Sequence, residues 1–171
     1  MNFYKIKEFF DIPYHIRKVK WFLQRGFRGW ADCDVWDFDH YLSRVISGGL
    51  EHLSRNNHGF PCTMQKRLFN KGMIENLTQD ENDKCAEEWT NILLNTSELF
   101  KRFDNWGDHE IDYLEKNVTG YREFLREPFG NHKVSYNEKE WHAAIEDLNK
   151  EYKKLLSDML KSLKWFQNWW D

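Results

Sequence analysis

An all-α fold is what this sequence predicts: a four-helix-bundle-like core with a long C-terminal helix and a decorated crossover. Three observations carry it. Apolar residues recur at steps of three and four over four separate stretches, bounded by helix start and stop residues. The last stretch sustains a near-heptad seam for over thirty residues. At 171 residues the chain can bury a core without disulfide or metal staples, and nine tryptophans and thirteen phenylalanines suit a helical interior.

Taken in order, Phe3 to Phe10 alternates and reads as a short edge strand or an arm, the N-terminal 1–11 segment of a single helical domain spanning 1–171. Pro13 opens the first helix, Ile12, Ile16, Val19 and Leu23 line its apolar face, and Gly26 stops it. Asp32 or Asp34 caps a second helix with the buried stripe Val35, Phe38, Leu42, Val45, Gly49 and Leu53. Gly48-Gly49 in its middle costs about 1 kcal/mol per glycine relative to alanine, which either a close approach of another helix or of a ligand, or a kink, would explain. His58-Gly59-Phe60-Pro61 is a turn, and residues 62–79 read as irregular. A third helix from about Asp80 places Cys85, Trp89, Ile92, Thr96, Leu99 and Phe103 on one face and closes at Asp104 to Gly107. Residues 107–134 form an irregular insert, with short helices expected near 108–116 and 119–126 before Pro128. Ser135 and Glu138 make a capping box for the last helix, whose seam runs Trp141, Ile145, Leu148, Tyr152, Leu155, Met159, Leu163, Phe166 and Trp170. The first, second, third and last helices would then form the bundle.

The net charge of −3 argues against a dedicated DNA or RNA binder, which is usually strongly basic. It is unevenly spread: residues 1–30 hold +5, residues 31–60 hold −3 and residues 61–130 hold −5, the pattern of a site for an anion, of a docking face, or of a solvated helix surface. No apolar run is long enough to span a membrane, so no membrane partner is expected. Cys33, Cys62 and Cys85, odd in number and far apart, read as reduced thiols.

Residues 25–41 concentrate arginine, aspartate and aromatic rings. Arg25 and Arg28 suit bidentate phosphate contacts, and Trp30, Trp36 and Tyr41 offer faces for stacking. Asp34 and Asp37 would orient those arginines or accept from a base edge; equally, Arg25 and Arg28 would pair with Asp34 or Asp37 merely to pin the loop. Arg44, Gly48 and His52 mark a second, shallow face, and His58 is a capping or ligand-contact residue. No catalytic set is apparent: neither a nucleophile elbow, a phosphate-binding loop nor a dinucleotide fingerprint occurs. No cofactor is called for. Asp34, Asp37, His40 and Asp108 are the ligands a metal-dependent phosphoester hydrolase would need.

The segments Trp21 to Trp30 and Asp34 to Leu42, the His58–Pro61 turn, Glu87-Glu88-Trp89 through Leu93, and the closing Trp169-Trp170-Asp171 resemble the signature of a widespread family of small bacteriophage proteins. The resemblance covers residues 12–106 and the C-terminal helix, and points to the immune-evasion proteins by which phages sequester the cyclic nucleotide signals of CBASS defence. It implies a non-enzymatic sponge in the cytoplasm of an infected bacterium. Arg25, Arg28, Trp30, Asp34, Trp36, Asp37, Tyr41, Arg44 and His58 would contact a small nucleotide ligand, and a homo-oligomer would be compatible. A protein-interaction module, inhibiting a host protein or serving as a small virion component, is the rival reading.

Overall fold

Helix forms over most of each stretch whose apolar periodicity predicts it, but the last α-helix gives way to a 3-10 turn at Leu163, short of the expected seam residue Phe166, and several helices bury a different face from the one their pattern suggests. The computed structural model describes residues 12–72, 76–127 and 135–168, with side chains between residues 15 and 165 of those spans. The expected arm at Phe3 to Phe10, Pro128, and the terminal Trp169-Trp170-Asp171 lie outside them. The fold is all-α, with no strand among the described residues. In order the elements are α1 (Ile12–Arg28), a 3-10 turn (Asp32–Val35), α2 (Phe38–Asn56), α3 (Cys62–Phe69), α4 (Gln79–Asp104), α5 (Trp106–Asn117), α6 (Tyr121–Arg126), α7 (Glu138–Ser162) and a 3-10 turn (Leu163–Asn168). The chain divides into two compact units, one running to Leu42 and the other from Ser43 onward.

In the second unit, α4 and the long C-terminal α7 carry the core. Leu50, Met64, Cys85, Trp89, Leu93 and Phe100 form one buried cluster, with Ile92, Met159 and Trp165 packed on it. The α4 face expected from the sequence is right at Cys85, Trp89 and Thr96, then rotates to take Leu93, Ser97 and Phe100 inside while Leu99 and Phe103 stay half-buried. A second cluster of Leu114, Val118, Ala144 and Leu148 joins α5 to α7. The short helices expected near 108–116 and 119–126 are present as α5 and α6, so residues 107–127 are structured rather than an irregular insert. Gly120, at φ +83°, turns the chain between α5 and α6, and a Cβ there would meet Ser135 O at 2.9 Å, so only glycine fits.

Local chemistry sets the helix starts. Thr78, rather than Asp80, caps α4: its Oγ1 accepts from Glu81 N at 3.3 Å, and Glu81 returns Oε2 to Thr78 N at 2.8 Å. Asn137, not the expected Ser135, caps α7, its Oδ1 accepting from Lys139 N and Glu140 N. The stretch read as irregular after residue 61 contains α3, whose single fully buried side chain is Met64.

The second helix shows the largest difference. Its buried residues are Ser43, Ser47, Leu50 and Ser54, whereas Val35, Phe38, Leu42 and Val45 of the expected core stripe are exposed. At Ser47 the helix backbone meets α4 directly, where Ser97 Oγ donates to Ser47 O at 2.9 Å. Close approach therefore belongs to Ser47 and not to Gly48-Gly49, where an added Cβ would meet nothing within 4 Å. Gly48→Ala should accordingly raise stability by up to about 1 kcal/mol through helix propensity alone, measured as a higher urea midpoint with unchanged slope. An unchanged or lower midpoint would show that the glycine is needed.

Candidate functional site: the aspartate-pinned loop of the first unit

In the first unit, α1 is amphipathic and the chain folds back on its polar side. Lys20, Gln24 and Arg28 are spaced four apart and line one ridge. All three reach Asp32: Lys20 Nζ at 3.0 Å, Gln24 Nε2 at 2.7 Å, and Arg28 Nη2 in a short contact. Gln24 Oε1 in return accepts from Asp32 N at 3.0 Å. These donors hold the Asp32 carboxyl well below its ordinary range, Gln24 contributing most.

Arg25, on the neighbouring ridge, grips Asp34 with two nitrogens: Nε to Oδ2 at 2.9 Å and Nη2 to Oδ1 at 2.5 Å. Asp34 is only 7 % exposed and also accepts from Ala31 N at 2.7 Å. The paired Arg25 guanidinium is the main reason its carboxyl falls from 3.8 to about 2, against the opposing effect of burial. Burial beside that carboxylate pushes the Cys33 thiol up, as expected of an unreactive cysteine. Cys33, Cys62 and Cys85 are all free.

Gly29 ends α1, three residues later than the expected Gly26, because its φ of +81° provides the left-handed step that closes the helix with Gly29 N on Arg25 O. Tyr41 donates its hydroxyl to Gly29 O, and Arg28 donates Nε to Trp30 O at 3.0 Å while its guanidinium lies 4.0 Å over the Trp30 ring. Arg25, Arg28, Trp30, Asp34 and Tyr41 are thus brought together.

The other sequence-predicted residues stand differently. Trp36 is 90 % exposed, and Asp37 is exposed with its carbonyl accepting from Tyr41 N. Arg44 belongs to the second unit, where its Nε lies 3.6 Å from Asp104. His58 is exposed in the linker between α2 and α3. Gly48 and His52 of the proposed shallow face are exposed as well. Asp34 and Asp32 do not cap a helix in front of them as expected; they bind the helix behind them. Lys20 and Gln24 were missed by sequence reasoning, although the regular spacing of Lys20, Gln24, Arg28 and Asp32 contained the signal.

Among the described residues, no group of three or more His, Cys, Asp or Glu side chains is placed to hold a metal ion, so Asp34, Asp37, His40 and Asp108 form no such cluster. Nor is any described helix long and apolar enough to cross a membrane. What the first unit presents outward is apolar. None of the described side chains of α1 is buried: Ile16, Val19, Phe22, Leu23 and Phe27 are exposed, with Val19, Phe22 and Leu23 on the side of the helix away from the ridge that binds Asp32. No family model matches the chain, and neither curated proteins nor solved structures share detectable similarity with it.

Proposed function

We propose that this chain is a non-enzymatic protein-interaction module that docks through α1. One observation carries the reading: the polar face of α1 is tied down within its own unit, while its apolar face is left exposed. A helix of seventeen residues is marginal alone in water, and amphipathic helices gain their stability by burying the apolar stripe. Each side chain of that stripe contributes about 1.5–3 kcal/mol when fully buried. Phenylalanines at its edge suit the anchor role that aromatic residues fill at interfaces, and a helix laid into a groove is a recurring recognition mode. Arg25 and Arg28 then hold the loop so that α1 is presented in one orientation.

Site-specific photocrosslinking tests this in cells expressing the chain. A photoreactive residue at Phe22 or Leu23 should capture a discrete protein, and one at Arg17, on the polar side, should not. Equal capture from both faces, or none from either, would remove the reading.

A second reading, sequestration of a cyclic nucleotide by a phage sponge, is favoured by the grouping of Arg28, the Trp30 ring and Tyr41 in one loop. It requires at least one guanidinium to leave its carboxylate for a phosphate. Calorimetry against cyclic di- and trinucleotides tests it, with Arg28→Ala as the control. If Arg28 clamps phosphate, the variant should lose about ten- to a hundredfold in affinity, the equivalent of about 1.5–3 kcal/mol for a charge-assisted bond. If Arg28 only pairs with Asp32 at the surface, any binding should be unchanged and stability should fall by about 0–1 kcal/mol.

A further inference from the structure

We draw no further inference here: the strongest candidate, the cleft of about 230 Å³ where the end of α4 and the start of α5 meet α7 beside Trp106, has Lys101, Arg102 and His109 already held by Glu51 and Glu151, and nothing in the structure shows what would occupy it.

Discussion

Trp89→Ala should destabilise the second unit by about 3–5 kcal/mol, the range for deleting a large buried aromatic side chain. Trp89 is 2 % exposed, sits among Cys85, Leu93 and Met64, and meets Trp165 edge-on at 6.2 Å between centroids. Its removal therefore takes away both buried area and an aromatic pair that joins α4 to the C-terminal turn, and the surrounding helices cannot collapse into a space of that size. The melting temperature should drop by roughly 10–20 °C for a unit of this length. Adjacent leucines supply an internal comparison. Leu93 is fully buried, and truncating it to alanine should cost about 2–5 kcal/mol, while the same change at Leu94, 41 % exposed, should stay within about 0.5 kcal/mol. Similar losses at Leu93 and Leu94 in urea unfolding would mean that α4 is rotated from the orientation described.

That rotation is where sequence reasoning lost resolution. Helix existence was legible from periodicity alone, because steps of three and four report the backbone whatever the neighbours are. Which face turns inward is a property of the neighbour, and α2 shows how far the two can part. Its most apolar stripe, Phe38, Leu42 and Val45, lies outside, and Ser43 and Ser47 lie inside, with the backbone at Ser47 meeting α4. A hydrophobicity pattern cannot express the value of being small. Short α3 was illegible for another reason, since eight residues with one fully buried side chain carry too few repeats to show a period.

The loop at 29–41 was legible in composition but not in pairing. Its arginines and aspartates were singled out, and pairing of Arg25 with Asp34 was one of two open alternatives. That Arg28 selects Asp32 rather than Asp37 comes from register: Asp32 falls four residues beyond Arg28, on the ridge already holding Lys20 and Gln24. Carboxylates next to a helix start are commonly read as caps for the helix on their C-terminal side. Here the 3-10 turn faces back, and the same charges anchor the helix on their N-terminal side.

Asp34→Ala should release this loop and little else. The first unit has no apolar cluster of its own among the described residues, only Ala31 and Asp34 being buried there, so polar contacts hold the loop on α1. Asp34 supplies a two-nitrogen grip on Arg25 and an acceptor for Ala31 N. Because Asp34 is buried and Arg25 is half-exposed, the cost should fall between that of a surface pair and that of a fully buried one, about 2–4 kcal/mol. Asp34→Asn keeps one acceptor and should lose about half as much. The loss should appear as faster amide exchange at residues 29–37 and faster tryptic cleavage after Arg25 and Arg28, with the main thermal transition of the second unit unmoved. Acid should reproduce it. The folded-state pKa of Asp34 lies below its ordinary 3.8, so the stabilisation is fully present above about pH 4 and is lost as pH falls through about 2. Exchange at residues 29–37, taken relative to the unfolded-chain rate at each pH, should therefore quicken across that window in the wild type and change less in Asp34→Ala, where Asp32 alone remains to be protonated. A variant whose loop exchanges as slowly as the wild type at neutral pH would show that Arg25 and Asp34 are neighbours without being the anchor, and would leave Arg25 available to a ligand's phosphate after all.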